Sequence, residues 1–187
     1  MRNTETDVLI IGTGGAGLYA AIRAAEAGMR VTIWEKGLVG RSGGTVSGAG
    51  ISAVGPWSDP EDSPEVYFQD TVKGGSFLSD QPLARILAEE ARDRIMEMEC
   101  WGLCFDRETD GRYVLDRAGG HSFPRVMAIS DRVGLQMTKV LRTRLLCFEA
   151  KHHPDVVTTR LLTRNGQIIG AMGLDLRAGE IHLIKAP

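Results

Sequence analysis

Cysteine is scarce in this chain, with only Cys100, Cys104 and Cys147 in 187 residues. An odd, sparse set does not make a disulfide framework, and no second Cys pair or nearby His completes a zinc site around Cys100 and Cys104. No metal site is expected, and the three are read as reduced, buried thiols that pack as small apolar groups. Charge of one sign is also lacking. With 22 Lys and Arg against 24 Asp and Glu, the net charge of −2 offers no electrostatic hold on nucleic acid or an anionic membrane. No apolar run reaches the ~20 residues of a membrane-spanning helix. The start, Met1-Arg2-Asn3-Thr4-Glu5, lacks the apolar core of a signal peptide, so a cytoplasmic location without membrane insertion is expected. Repeats, low-complexity segments and internal linkers are missing too, which points to one domain over residues 1–187.

What the chain has in quantity is glycine, 23 residues, concentrated in loops of the kind that meet ligands. The apolar run Val8-Leu9-Ile10-Ile11 leads into Gly12-Thr13-Gly14-Gly15-Ala16-Gly17 and then a small-residue helix to Gly28. A strand, a GxGxxG turn and a helix in that order make a cradle for a dinucleotide, because a pyrophosphate needs the free N–H groups and the positive end of the helix dipole. Gly12 serves the tight turn, Gly14 lets backbone approach the phosphates, and Gly17 lets the helix pack on the strand. A second apolar strand, Met29 to Trp34, closes on Glu35, eighteen positions after Gly17. That is close to the spacing of the carboxylate that accepts hydrogen bonds from the adenosine ribose. A carboxylate there repels a 2′-phosphate, which leaves NAD or FAD. The loop Lys36-Gly37 through Arg41-Ser42-Gly43-Gly44-Thr45 to Gly50-Ile51 carries little side-chain bulk, so its amides and hydroxyls can lie along an extended ligand. FAD suits such a run better than a nicotinamide cofactor does.

Further along, Pro56 to Pro64 reads as a turn-rich connector ending in a helix start. Leu83, Ile86, Leu87, Ala91, Ile95 and Met98 recur at helical steps and predict a core-facing stripe over Gln81 to Glu99. A turn over Asp106 to Gly111 precedes a strand at Tyr113-Val114-Leu115, and a further helix is expected over Gly134 to Ala150. His152-His153, before Pro154, read as capping groups at a helix end. Val156-Val157, Leu161-Leu162, Ile168 to Met172 and Ile181 to Ile184, punctuated by Asn165-Gly166 and Ala178-Gly179, predict a β-meander, with His182 on its polar face. The expected class is α/β, a parallel sheet first and the meander last.

Asp7 to Gly17, Glu35-Lys36-Gly37 and the Ser/Gly run ending Gly50-Ile51-Ser52-Ala53 resemble the flavoprotein family of succinate dehydrogenase, fumarate reductase and L-aspartate oxidase. So do Asp70-Thr71-Val72-Lys73-Gly74 with Ser79-Asp80-Gln81, Trp101-Gly102-Leu103 with Phe105, Gly119-Gly120-His121-Ser122 with Arg125, Asp131-Arg132-Val133-Gly134, and Gly173 to Lys185. The resemblance covers nearly the whole chain. It implies a Rossmann-like FAD-binding domain of the glutathione-reductase type, a ββα sandwich, that exchanges hydride between flavin N5 and a C4 dicarboxylate or L-aspartate. It places Gly12, Gly14, Gly15, Ala16, Gly17, Glu35, Lys36, Gly37, Ser42, Gly43, Gly44, Thr45 and Gly50 on the cofactor. It also brings His121, Ser122 and Arg125 near the flavin and substrate, as candidates for catalysis.

Three departures qualify that picture. Membrane-bound members link the flavin covalently to a histidine where this chain has Gly43 or Gly44, so non-covalent FAD is expected. Between Asp155 and Leu161 the chain is several residues shorter than the family pattern, in the strand expected beside the adenine. The resemblance also sets the last sheet strand and the capping domain, with its substrate-clamping His and Arg, beyond Pro187. A flavin-binding fragment or subunit needing a second chain over an open sheet edge is therefore the alternative to a self-sufficient enzyme.

Overall fold

The structure, a computed structural model, describes residues 2–187. In chain order it comprises β1 (Arg2–Glu5), β2 (Val8–Ile11), α1 (Gly15–Glu26), β3 (Val31–Trp34), a 3-10 turn (Gly44–Ser47), β4 (Gly50–Ser52), α2 (Pro64–Gly74) and α3 (Gln81–Cys100). After these come β5 (Leu115–Asp116), β6 (Val126–Ala128), α4 (Val133–Leu145), β7 (Lys151–His153), β8 (Val156–Arg164), β9 (Gln167–Asp175) and β10 (Glu180–Lys185). The chain divides into two compact units, residues 1–46 with 137–187 and residues 47–136.

The first unit holds the expected parallel sheet, ordered β2-β3-β7. Val8 to Ile11 pair in parallel with Val31 to Trp34. Every residue of β3 is buried, as suits an apolar central strand of a parallel sheet covered on both faces. Leu18, Ala21 and Ile22 of α1, spaced three and one apart on one face, are fully buried. Burying each of the two larger side chains contributes about 1.5–3 kcal/mol. The meander is also present, as β8, β9 and β10. Asn165 and Gly166 both take left-handed backbone, at φ 53° and 79°, the conformation that an Asn-Gly hairpin turn requires. Trp34, Val156, Ala171 and Ile184 form a buried cluster with Leu9 against it.

Several local expectations change. The helix predicted to reach Ala150 stops at Leu145, and Lys151–His153 forms β7, paired with Thr32, Ile33 and Trp34. His152 and His153 are therefore strand residues rather than helix caps; Pro154 follows a strand as readily as it stops a helix. His182 faces inward at 5% exposure while Ile181 is 46% exposed, because the two-residue period of β10 is set by Ile184, which lies in the core. Arg2 to Glu5 add to β10 as a parallel strand, a pairing that polar residues gave no reason to expect. The bulge between Thr158 and Arg160 falls in the shortened segment and leaves Val156 to Thr158 paired with β9.

In the second unit, Ser63 and Asp80 cap α2 and α3 by accepting from the N–H groups of Val66 and Leu83, with Pro64 and Pro82 in the first turns. α3 buries Ala84, Ala88, Ala91, Ile95 and Met98. The predicted stripe is thus half right: Leu83, Ile86 and Leu87 are 63%, 49% and 46% exposed. The buried line runs through small alanines one position away, where Ala88 joins Val54 and Tyr67 in a cluster. β4, β6 and β5 make a small antiparallel sheet. The strand predicted at Tyr113 shrinks to Leu115–Asp116, with Tyr113 bridged only to Arg107. All three cysteines are free and exposed, contrary to the buried thiols expected.

Candidate functional site

The glycine turn sits where β2 ends and α1 begins. Gly12 takes φ 90°, a conformation costly for any residue with a Cβ. A Cβ on Gly17 would overlap the Gly12 carbonyl oxygen, so the helix approaches the turn only because Gly17 has no side chain. Gly14, the N-cap of α1, offers no side-chain cap, unlike Ser63 on α2 and Asp80 on α3. Gly15 N–H donates to Thr45 Oγ1 at 2.9 Å, while the N–H groups of Ala16 and Gly17 have no partner among the described residues. Two open donors at a helix N-terminus are what a phosphate oxygen needs.

Glu35 lies at the end of β3, only 3% exposed. Its Oε2 accepts from Thr13 N–H at 2.7 Å and Thr13 Oγ1 at 2.6 Å, and its Oε1 from Gly37 N–H at 3.2 Å. Gly40 N–H in turn donates to Thr13 Oγ1 at 2.8 Å. Burial works to raise the Glu35 pKa, but hydrogen bonds from the hydroxyls of Thr13 and Ser42 and from the amides of Thr13 and Gly37 outweigh it and hold the carboxyl below its usual range. The carboxylate is ionised and charge-bearing, yet every group that holds it is neutral.

A cavity of about 280 Å³ opens at the carboxyl ends of β2 and β3, where parallel sheets bind ligands. It is lined by Ile11, Gly12, Thr13, Gly14, Trp34, Glu35, Lys36, Ser42 and Gly43, with Val156, Val157 and Thr158 of β8. The structure therefore gathers six predicted residues around one space: Gly12, Gly14, Glu35, Lys36, Ser42 and Gly43. Gly15, Ala16 and Gly17 form the adjoining helical turn, Gly37 ties down Glu35, and Gly44 and Thr45 lie in the 3-10 turn. Thr13 was missed, although the polar residue between the two turn glycines was an available signal for it. The Val156 to Thr158 stretch falls in the segment that the resemblance sets beside the adenine, and the fold brings it to this cavity.

Gly50, His121, Ser122 and Arg125 belong to the second unit. Gly50 is required by its neighbours, because a Cβ there would lie 2.5 Å from the Val126 side chain. Arg125 is fully buried. Its Nε and Nη2 donate to the two Asp62 oxygens at 2.9 and 2.6 Å, and its Nη1 to Asp70 Oδ2 at 2.7 Å. Asp70 also accepts from Ser122 N–H at 2.7 Å and Ser122 Oγ at 2.8 Å. Burial works to raise the Asp70 pKa and to lower that of Arg125, and in each case the bonds within the cluster win. His121 meets the Tyr67 ring edge-on at 5.8 Å, and its buried Nδ1 has no partner. Burial, then the Arg125 charge, keep its imidazole less basic than usual.

The family model described as FAD binding domain matches residues 7–187. The chain belongs to this FAD-binding family. The fumarate reductase (CoM/CoB) of Methanothermobacter marburgensis has a subunit that is 40% identical over 183 residues, covering 97% of this chain and 34% of the relative. L-aspartate oxidase of Vibrio cholerae is 30% identical over 202 residues, covering 99% and 36%. The structure of Sdh1 of Mycobacterium smegmatis in complex with UQ1 superposes with a TM-score of 0.91 at 34% identity, covering all of this chain and 33% of that one. The chain thus spans about a third of the length of the curated relatives it matches. The Rossmann-like fold and the FAD-binding assignment read from sequence both stand.

Proposed function

We propose that this chain is the FAD-binding part of a cytoplasmic flavoprotein oxidoreductase that acts on a small dicarboxylate, succinate or fumarate, or on L-aspartate. The observation that carries the reading is a cavity lined by a glycine turn and a buried carboxylate free of cations, with two open helix N–H donors in the adjoining turn. Ala16 and Gly17 bind the diphosphate through their amides, Glu35 accepts from the adenosine ribose, and Val156 to Thr158 flank the adenine. Ser42, Gly43, Gly44 and Thr45 leave room along the rest of the ligand. When bound, FAD supplies the acceptor or donor of a hydride. Of the three candidates in the second unit, Ser122 and Arg125 are spent on Asp62 and Asp70, which leaves His121, with one ring nitrogen unpaired, as the remaining candidate.

No histidine stands at position 43 or 44, so the flavin is held without a covalent bond. After acid precipitation the yellow colour belongs in the supernatant, and colour retained by a washed pellet contradicts this. The dinucleotide reading is tested by titrating FAD and FMN into wild type and Glu35→Ala. Loss of charge-assisted hydrogen bonds weakens FAD about 10- to 100-fold, while FMN, which lacks the adenosine, is unaffected. Equal losses for both would make Glu35 a purely structural residue.

The alternative, a flavin-binding subunit completed by other polypeptide, draws on the edge strand β2. Its residues are apolar yet only half-buried, and Ile11 is 48% exposed. An uncovered apolar edge in a parallel sheet is a place for another strand. Dye-linked fumarate reduction and peroxide release from L-aspartate, assayed on the FAD-loaded chain, separate the two: turnover favours the enzyme, binding without turnover the subunit.

A further inference from the structure

A second cavity in the first unit, of about 420 Å³, shares no lining residue with the glycine-turn cavity. Its apolar wall includes Leu38 and Leu146, which are 50% and 64% exposed. Its polar side is Arg41, Arg142 and His152, and no Asp or Glu lines it. Neither arginine has a carboxylate partner among the described residues, whereas Arg144, two residues on, pairs with Glu26. The Arg142 stem is set by the fold: Gly40, at φ 70°, presents backbone where a Cβ would lie 3.2 Å from the Arg142 Cδ. His152 is held below its usual basicity by burial and then by the Arg142 charge, so the cationic character of the recess rests on the two guanidinium groups.

We propose that this recess binds a small amphiphilic anion, a carboxylate or phosphate on an apolar body. The anionic head is taken by Arg41 and Arg142, whose planar forks match oxyanions, and the body covers Leu38 and Leu146. The volume falls in the range of about 300–1,000 Å³ typical of small-molecule sites, which favours a free small molecule over an acidic peptide. The site is independent of the dinucleotide reading, because its residues lie outside that cavity.

The test is a titration of the whole chain with phenyl phosphate, followed by amide NMR, with and without saturating FAD. Saturable shifts are expected in residues 38–41 and around Arg142 and His152, the same in both conditions. Benzyl alcohol should not bind, and inorganic phosphate should bind more weakly. Arg142→Gln should weaken phenyl phosphate about tenfold or more, through loss of a charge-assisted contact. Leu146→Glu, a change at an exposed rim position that spares folding, should abolish binding. Displacement by FAD, equal affinity for inorganic phosphate, or unchanged binding in Leu146→Glu would each overturn the proposal.

Discussion

Two buried carboxylate sites in this chain are held in opposite ways. Glu35 is surrounded by hydroxyl and amide donors, with no cation bonded to it among the described residues, so its negative charge is fixed in place but not cancelled. Asp62 and Asp70 share the guanidinium of Arg125, and their charge is largely spent inside the protein. Both sites are hidden from solvent, and Glu35 and Asp70 both fall in stretches that carry the family resemblance, while Asp62 reads only as part of a connector. What separates them is the identity of the donors. A carboxylate held by neutral dipoles stays available to a ligand's hydroxyls, whereas one held by arginine serves as scaffold.

The comparison breaks most sharply at Arg125. Arg125→Met leaves two buried carboxylates uncompensated and should cost about 3–5 kcal/mol, seen as a large fall in the denaturation midpoint. Little change would mean that the cluster is not the anchor described. Next comes Gly17→Ala, whose methyl must push α1 off the glycine turn. Overpacking of this kind costs about 1–3 kcal/mol, and FAD binding should fall with it, as an FAD titration would show. Glu35→Ala removes hydrogen bonds to a charged group, worth about 1.5–3 kcal/mol, and so should cost less stability than Arg125→Met while losing FAD affinity; a stability loss matching that of Arg125→Met would erase the distinction between the two sites.

The smallest expected effect is in pH dependence. Burial first, and neighbouring cations after it, hold His152 and His153 below 6.5, and burial with Arg125 does the same to His121. The unfolded chain therefore takes up protons first as pH falls through 6.5, and stability declines from there downward. Glu35 and Asp70, held below 4.5 and 3.8, add stability that is present above those values and lost as pH falls through their folded pKa. A denaturation series should show a shallow decline below pH 6.5 and a steeper one below about pH 4.5. His153→Gln should flatten part of the first step and leave the second.

Much of the first unit was legible because its signals are local. The apolar runs at residues 8–11 and 31–34, the glycine turn and the Asn-Gly hairpin each state their conformation within a few residues. The second unit was harder. Which flank of α3 is buried depends on how closely α2 approaches, and that is decided by alanines whose sequence signal is faint beside Leu83, Ile86 and Leu87. The orientation of His182 depends on register, where a single position reverses every side chain. Arg125 was visible as a site candidate but its role was not, since Asp62 and Asp70 lie 63 and 55 residues away.

The central claim is that FAD is held by the open end of α1 and by the carboxylate of Glu35. Backbone amide NMR of the chain titrated with FAD addresses it directly. The account predicts the largest shifts at the amides of Ala16 and Gly17, with Thr13 and Gly37 following as Glu35 takes up the ribose. Saturable FAD binding that leaves these four amides unmoved would contradict it.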